Sequence, residues 1–179
     1  LTVPSDDCAE GHFCTSGALT ITPVEAGDAD VGGICAAGTF CPAKSVTETD
    51  CPAGTYNPTD GQKECEICQQ GYYCPQRSET YESNPCPEGH YCPAGTGAGT
   101  AFPCPAGTFG NVTMFVQESD CYACGPGDVC EGTGNTAFTN KCAGGWYCTG
   151  GAFQIKPVAD SDVVCASGFN GSTGGICRE

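Results

Sequence analysis

The sequence predicts a small disulfide-rich fold: an elongated tandem array of cysteine-rich repeats with short β-hairpins and almost no helix. The first observation is composition, because 179 residues hold 18 cysteines, 27 glycines and 13 prolines, outside the range of an ordinary globular domain. The second is that the cysteine spacings recur in the same order three times. The third is that glycine, proline and cysteine interrupt every window long enough for a helix.

Three successive sets of six cysteines define the predicted organisation. Each set runs C-x5-C, a spacer, C-x5-C, a second spacer and a wider loop closed by the sixth cysteine. A head at 1–7 precedes cysteine-rich repeats at 8–67, 68–123 and 124–179. Because each repeat is expected to contact mainly its neighbours, the predicted array is elongated. The cysteines are Cys8, Cys14, Cys35, Cys41, Cys51 and Cys65; Cys68, Cys74, Cys86, Cys92, Cys104 and Cys121; and Cys124, Cys130, Cys142, Cys148, Cys165 and Cys177.

A shorter phrase, C-x2-G, occurs three times in each repeat. Two of the three copies continue to an aromatic residue or Val and a second cysteine, as in CPEGHYC at 86–92, and the third opens the wide loop. The glycine is expected to supply the positive φ of a tight turn. The aromatic ring beside the second cysteine is expected to pack with the sulfur as a small apolar plug, since repeats of this size build no large core.

A longer echo links the segments that follow Cys14 and Cys148. TSGALTITPVEAGDAD follows the first cysteine and TGGAFQIKPVADSD follows the second. We interpret the two blocks as internal duplications. Each segment predicts one short strand, ending at Pro23 or Pro157.

An even number of cysteines at repeating intervals predicts disulfides in an oxidising compartment, which places the protein outside the cell or on its surface. Zinc is the competing hypothesis, because Cys65-x2-Cys68 and Cys121-x2-Cys124 have the spacing of zinc ribbons. Both pairs straddle a repeat boundary, and only two histidines are present. The chain is also acidic, whereas many zinc modules bind nucleic acid through basic faces. We therefore expect all eighteen cysteines in disulfides and no metal site.

The formal net charge of −15 arises from 21 acidic and 6 basic side chains. This charge disfavours nucleic acid and anionic membranes as partners. No apolar stretch approaches the roughly 18 residues that a membrane span needs. Leu1 is not a start methionine, so the chain is expected to be processed or to be part of a longer protein.

Catalytic residues are not expected, and the two histidines illustrate why. His12 and His90 occupy the same slot of the C-x2-G phrase, where Thr39, Tyr72 and Trp146 also stand. A slot that accepts such different side chains is interpreted as a surface or stacking position rather than a catalytic one.

Cofactor and cation motifs are likewise incomplete. The glycine-rich segment 95–102 lacks the residue order and the lysine of a phosphate-binding loop, so no cofactor is expected there. Asp28-x-Asp30 and Asp160-x-Asp162 lack the glycine and distal glutamate of an EF-hand loop. We interpret both as solvated turns.

Two N-glycosylation sequons are present, Asn111-Val-Thr113 and Asn170-Gly-Ser172, and both lie inside wide loops. Loops of a secreted protein are suitable acceptors, so Asn111 and Asn170 are predicted to carry N-glycans. Asn57 and Asn84 are each followed by proline, which blocks glycan transfer.

The wide loops carry a resemblance to a known family. CPAGTYN at Cys51 and CPAGTFG at Cys104 each lead to a C-x2-C and then to a four-cysteine block. Over residues 8–179 this order resembles the cysteine-rich repeats of tumour-necrosis-factor receptors. It is more closely similar to the ephrin-receptor-like repeats of long extracellular proteins in algae, protists and animals, among them flagellar-hair (mastigoneme) proteins. The third wide loop, CASGFNGSTGGIC, lacks the Pro and Thr of the pattern.

The resemblance implies a disulfide pairing in which the wide loop closes on itself and the next four cysteines interlace. The implied wide-loop pairs are Cys51–Cys65, Cys104–Cys121 and Cys165–Cys177. The implied interlaced pairs are Cys8–Cys35, Cys14–Cys41, Cys68–Cys86, Cys74–Cys92, Cys124–Cys142 and Cys130–Cys148. The alternative, in which each C-x5-C closes on itself, stays open because its central glycine makes the seven-residue ring feasible.

Together these patterns predict a non-enzymatic extracellular structural protein that self-associates into a glycosylated filament, hair or surface coat. The expectation depends on crosslinks in place of a core, on tandem repetition and on the lack of a recognisable active site. Tyr56, Phe109 and Trp146 are the side chains expected at lateral contacts between chains. The alternative hypothesis is the stalk or ligand-binding ectodomain of a cell-surface receptor.

Overall fold

The computed structural model describes residues 7–15, 18, 20–23, 32–144, 146–156 and 175–176 of the chain. The described residues form strands of two residues each and one short 3-10 turn at Glu118–Asp120. The strands are β1 His12–Phe13, β2 Gly33–Ile34, β3 Thr39–Phe40, β4 Thr49–Asp50, β5 Thr55–Tyr56, β6 Glu66–Ile67, β7 Thr108–Phe109, β8 Tyr122–Ala123, β9 Asp128–Val129, β10 Asn140–Lys141, β11 Trp146–Tyr147 and β12 Gly175–Ile176.

The strands pair as antiparallel hairpins in chain order, each strand with an odd number pairing with the strand that follows it. The first strand of each pair holds the two residues after the glycine of a C-x2-G phrase. The second holds the two residues before a later cysteine, so that Thr55 lies opposite Ile67 and Tyr56 opposite Glu66. Single bridges between Tyr72 and Pro85 and between His90 and Pro103 continue the pattern. The predicted small disulfide-rich fold of tandem short hairpins with almost no helix is confirmed.

Each described disulfide joins a cysteine to the next cysteine along the chain. Six close a C-x5-C ring and two close a wide loop. The rings are Cys8–Cys14, Cys35–Cys41, Cys68–Cys74, Cys86–Cys92, Cys124–Cys130 and Cys142–Cys148, and the wide-loop bridges are Cys51–Cys65 and Cys104–Cys121. No described cysteine is free. So dense a set of disulfides is characteristic of a secreted or extracellular cysteine-rich protein.

The interlaced pairing implied by the resemblance is wrong for all six of its bridges. The two described wide-loop bridges are those that the resemblance implied, while Cys165 and Cys177 lie outside the described residues. The physical reason is a tight turn inside each ring, which brings the two Cα atoms to 5.7–6.2 Å. That separation lies in the usual range for a disulfide, so each ring closes locally.

The turn inside each ring depends on the glycine. In the Cys86–Cys92 ring, the N–H of His90 donates to the carbonyl oxygen of Pro87 at 3.3 Å, and Gly89 between them has a φ of 77°. Positive φ at this position is the requirement of a type II turn, which glycine meets without strain. The predicted role of the phrase's glycine is therefore confirmed.

The echo after Cys14 and Cys148 corresponds to a repeated contact, but not to the predicted strands. The N–H of Ala9 donates to the carbonyl oxygen of Ile21 at 2.8 Å, and the N–H of Ala143 donates to that of Ile155 at 2.9 Å. Residues 20–22 and 155–156 form bends. The strand prediction is wrong at these residues. The carbonyl groups of Ile21 and Ile155 bond to the seven-residue disulfide rings that contain Ala9 and Ala143, instead of pairing with a neighbouring strand.

The cysteines, rather than the aromatic side chains beside them, form most of the buried interior. Twelve of them are at most 5% exposed. The adjacent rings are only half-buried; they are Phe13, Phe40, Tyr73, Tyr91 and Tyr147. The predicted apolar plug is therefore built mainly of disulfides, with the aromatic rings partly open to water.

The chain divides into two compact units. Unit 1 comprises 1–85 and 94–98, and unit 2 comprises 86–93 and 99–179. The division into repeats at 8–67, 68–123 and 124–179 stays a prediction.

Candidate functional site

The backbone hydrogen bonds repeat with every C-x2-G phrase. We call the seven residues that start at each such cysteine a module. The modules with described residues are 8–14, 35–41, 51–57, 68–74, 86–92, 104–110, 124–130 and 142–148. In the modules that open wide loops, Asn57 and Gly110 stand where the ring-closing cysteine stands elsewhere.

Four backbone hydrogen bonds connect one module to the next, and we call this set a joint. Between modules 51–57 and 68–74, Gly54 N–H donates to Cys74 O at 2.8 Å, and Cys68 N–H donates to Gly54 O at 2.9 Å. Beyond the second module, Arg77 N–H donates to Cys51 O at 2.8 Å. The fourth bond runs from Asn57 N–H to Ser78 O at 3.0 Å. Three complete joints occur in the described part of unit 1 and three in that of unit 2.

One residue of each complete joint has a left-handed backbone, and Gly95 makes the same bond to Cys68 within unit 1. This left-handed residue lies three or four positions after the end of a module. Its N–H donates to the carbonyl oxygen of the first cysteine in the module before that one, at 2.7–2.9 Å. Glycine accounts for four of these positions, whereas the other three are occupied by residues that adopt this conformation at a cost. The left-handed residues are Lys44, Gly61, Arg77, Gly95, Met114, Gly134 and Gly151, with φ between 61° and 81°.

The module glycines also permit a close backbone approach. A Cβ added to Gly54 would lie 2.3 Å from the carbonyl oxygen of Gly95, and one added to Gly107 would lie 2.3 Å from that of Gly151. No side chain fits at such a distance. The repeated glycine is thus fixed both by its φ and by the backbone of a later joint.

Ion pairs cover two of the joints in unit 1. Asp7 precedes Cys8, and its carboxylate lies 2.8 Å from Nζ of Lys44. Asp50 precedes Cys51, and its carboxylate lies 3.3 Å from the guanidinium of Arg77. The hydrogen bond and the charge of Asp7 raise the pKa of Lys44. In both ion pairs, the side chain of the left-handed residue binds the carboxylate just before a module. The first cysteine of that same module accepts the hydrogen bond from the backbone N–H of the left-handed residue.

In unit 1, where the left-handed residue is glycine, the residue that precedes the bonded module is an isoleucine. A Cβ on Gly61 would lie 3.1 Å from Cδ1 of Ile34, and a Cβ on Gly95 would lie 3.7 Å from Cγ2 of Ile67. Ile34 is 41% exposed and Ile67 is 68% exposed. These joints therefore present apolar side chains to solvent in place of an ion pair.

The wide loop of unit 1 shelters its aromatic residue. Tyr56 is 6% exposed, its hydroxyl donates to the Glu66 carboxylate at 2.8 Å, and its ring packs edge-on to Tyr81. Burial, together with the hydrogen bond to Glu66, raises the pKa of Tyr56 to about 12. Tyr72 also packs edge-on against Tyr81. Tyr56 is thus buried, and its expected place at a lateral contact is wrong.

The wide loop of unit 2 leaves its equivalent cluster open. Phe109 is half-buried and lies opposite Tyr122, with ring centroids 5.8 Å apart. Phe115 packs edge-on to Tyr122 at 5.6 Å. Tyr122 is 50% exposed, and Asn111 is exposed two residues after Phe109. An acceptor asparagine therefore lies in the same loop as Phe109, and Tyr122, the partner of Phe109, directly follows the cysteine that closes this loop.

The other asparagines considered above differ from Asn111. Asn57 is buried, and its side-chain amide donates to the carbonyl oxygen of Thr39 at 2.8 Å. Asn84 is half-buried. Asn170 lies outside the described residues, so its predicted glycan is not placed by the structure.

The ring of each histidine makes the same local contact with a backbone carbonyl group. Nδ1 of His12 lies 3.1 Å from the carbonyl oxygen of Glu10, and Nδ1 of His90 lies 3.1 Å from that of Glu88. In the described parts of the chain, no three His, Cys, Asp or Glu side chains are grouped so as to hold a metal ion. Asp28, Asp30, Asp160 and Asp162 fall outside those parts. The expectation of a chain without catalytic, cofactor or metal sites stays a prediction.

Comparisons with known proteins give no family for the chain. No family model matches it, and a search of curated proteins gives no match either. The resemblance to receptor and ephrin-receptor-like repeats therefore remains an expectation. No helix in the described ranges is long and apolar enough to cross a membrane.

The joints are what sequence reasoning missed. A usable signal was present, because Asp7 and Asp50 each precede a phrase cysteine while Lys44 and Arg77 each lie three residues after a later ring. The pairing of these positions becomes visible only once the backbone bonds show which residues meet.

Proposed function

We propose that this chain is a non-enzymatic structural protein that acts outside the cell, where its modules build a glycosylated filament, hair or surface coat. The joint is the observation that carries the proposal. One set of backbone hydrogen bonds connects successive modules within each unit, so modules add in series. Such construction suits a protein that maintains an extended material rather than one that encloses a substrate.

The disulfides support the same proposal. Each seven-residue ring stabilises the fold by about 2 kcal/mol in the chain-entropy description, and each wide loop by about 3 kcal/mol. The rings are local, so this stabilisation is distributed along the modules. A material exposed to an oxidising exterior keeps such bridges, whereas the cytosol reduces them.

Self-association is proposed through exposed apolar side chains rather than through Tyr56. Ile67 is 68% exposed and Tyr122 is 50% exposed. The formal charge of −15 opposes contact between chains, so assembly should strengthen as salt or divalent cations screen that charge. The proposed partners are therefore other copies of the chain or neighbouring subunits of the same material.

The test is sedimentation and electron microscopy of the oxidised protein across protein concentration, with and without added salt and calcium. The expected result is assembly that increases with ionic strength and yields filaments or sheets. The matched control is reduced and alkylated protein, which loses the rings and should lose ordered assembly. A monomer under every condition would contradict the proposal.

The second candidate is a receptor ectodomain, either a stalk or a ligand-binding array. The exposed Ile34 and Ile67 at the joints favour it, because exposed apolar side chains are typical of protein-binding surfaces. This candidate predicts a monomer in the sedimentation experiment. It also predicts that Ile67→Glu abolishes ligand binding without changing the free energy of unfolding.

A further inference from the structure

We propose that an N-glycan on Asn111 packs its first N-acetylglucosamine against the aromatic pair Phe109 and Tyr122. The glycan is then part of the folded surface of unit 2 rather than a solubilising appendage. This inference rests on the proposed glycosylation, and it adds the side chains that bind the sugar.

Partly exposed apolar side chains lie close to the acceptor in the sequence and across the strand pair. Val112 and Met114 follow Asn111 in the same loop and are 45% and 44% exposed, and Tyr122, just after the loop-closing Cys121, is 50% exposed. Tyr122 contacts the rings of both Phe109 and Phe115. Phe109, Phe115 and Tyr122 therefore form an aromatic cluster in which Tyr122 stays half exposed.

Asn111 lies close to the end of the strand that carries Phe109. Phe109 is the last residue of β7, and Asn111 follows it by two positions. This short separation places the acceptor close to the Phe109 ring at the end of the strand. The Asn111 side chain is exposed, and no hydrogen bond ties it to another described residue. It is therefore available for attachment.

The chemistry of a sugar ring matches an aromatic surface. One face of a pyranose ring presents C–H groups with partial positive charge, and an aromatic face carries partial negative charge. Phe109 and Tyr122 supply two such rings next to the attachment point. Tethering removes most of the cost of bringing the sugar to them, because the contact is intramolecular.

Attachment needs a lipid-linked diphospho-oligosaccharide and its transferase, the ordinary donor system of the secretory pathway. The Asn111 amide nitrogen forms a bond to C1 of N-acetylglucosamine and loses one proton to a base. The C1–O bond to the diphosphate breaks, and the lipid diphosphate leaves with the bonding electrons. Thr113 supplies the hydroxyl that the sequon requires.

The wide loop of unit 1 provides an internal comparison. Tyr56 takes the place of Phe109 there, Glu66 takes the place of Tyr122, and the Tyr56 ring is buried. The neighbouring Asn57 is buried, and Pro58 blocks transfer. The loop without an acceptor covers its aromatic side chain with protein, and the loop with an acceptor leaves its pair open.

The experiment uses the full chain, secreted from eukaryotic cells, with Asn170→Gln so that only Asn111 carries sugar. Three forms are compared: the intact glycan, a single N-acetylglucosamine left by an endoglycosidase, and the stripped protein produced by an amidase. Guanidinium unfolding with disulfides intact gives the equilibrium constant of each form. We expect stripping to raise the unfolding constant about two- to tenfold, the size of an aromatic stacking contact, while the single sugar retains the stability of the intact form.

The same comparison is then made in Tyr122→Ser, with Phe153→Ser as the matched control because Phe153 is also an exposed aromatic of unit 2, at 55%. Stripping should have little effect in Tyr122→Ser and its full effect in Phe153→Ser. An equal effect in both variants, or a single-sugar form as unstable as the stripped one, overturns the inference while leaving glycosylation intact. Mass spectrometry showing Asn111 unoccupied overturns both.

Discussion

The guanidinium of Arg77 lies 3.3 Å from the carboxylate of Asp50, while the Arg77 N–H donates to the carbonyl oxygen of Cys51, the residue next to Asp50. Backbone and side chain of one residue therefore bind adjacent residues of an earlier module. Asp7 and Lys44 repeat the arrangement around Cys8. The ion pair is thus an attachment of the joint rather than an isolated surface contact.

A double-mutant cycle with Asp50→Asn and Arg77→Asn should give a coupling energy of about 0.2–1 kcal/mol at low salt. Asparagine tolerates the left-handed conformation of Arg77, so the cycle isolates the charges. The coupling should vanish near 1 M salt, where the Debye length is about 3 Å. Unfolding in urea, which adds no ions, measures the coupling energy. A coupling energy of zero at low salt would show that the ion pair contributes nothing to stability.

Substitution of Gly54 by alanine should destabilise the fold strongly. Gly54 has a φ of 93°, and the added Cβ would lie 2.3 Å from the carbonyl oxygen of Gly95. Left-handed backbone alone costs about 1–2 kcal/mol for a residue with a side chain. The clash adds to this cost, because the Gly95 backbone must move away from its hydrogen bond to Cys68. Chemical denaturation measures the total.

Substitutions at two other glycines separate the cost of the left-handed backbone from the cost of the steric clash in Gly54→Ala. Gly132 has a φ of 73° with no atom within 4 Å of an added Cβ, whereas Gly144 has open space and no positive φ. Gly132→Ala should therefore cost about 1–2 kcal/mol, and Gly144→Ala should stay within about 0.5 kcal/mol. A Gly54→Ala loss no larger than that of Gly132→Ala would remove the close approach from the explanation.

Limited tryptic digestion without reduction should distinguish the observed pairing from the interlaced one. No described disulfide spans Arg77 or Lys141, so cleavage after these exposed residues should release separate fragments. In the interlaced pattern two bridges would cross each of these sites, and the fragments would stay joined until reduced. Mass spectrometry of the thiol-blocked digest gives the answer. Lys44 serves as the control, because neither pattern has a bridge that crosses it.

The ionisation of Tyr56 should make the fold sensitive to alkali. Its pKa is about 12 in the folded chain and about 10 when unfolded. A raised pKa contributes stability that is present below about pH 10 and is lost as the pH rises toward about 12. Ultraviolet titration should show one tyrosine ionising late, and Tyr56→Phe should remove that late step. A late step that survives in Tyr56→Phe would assign it to another tyrosine.

The sequence was sufficient for the local features of the fold. A C-x5-C segment that begins C-x2-G encodes a turn, a glycine with positive φ and a short strand, as at Gly38, Thr39 and Phe40. These features depend on neighbouring residues, so local chemistry predicts them. The wide-loop bridges Cys51–Cys65 and Cys104–Cys121 followed from the resemblance alone.

The sequence was not sufficient for what connects the modules. The resemblance favoured interlaced bridges, but the turn at Gly71 had already brought Cys68 and Cys74 within bonding distance. The left-handed backbone of Arg77 depends on a carbonyl group of Cys51, far away in the sequence. Arginine has no intrinsic preference for the left-handed conformation, so no local sequence feature predicts it. The exposure of Asn111 beside Tyr122 likewise depends on strand register.

The nearest-neighbour order of the bridges has a consequence for biosynthesis. As the chain enters an oxidising compartment from its N-terminal side, each ring is complete once its second cysteine arrives. No described bridge waits for a cysteine of a later module, so few wrong pairs need to be exchanged by an isomerase. Oxidative folding then advances vectorially at the pace of synthesis, and its duration per module is independent of the number of modules that follow.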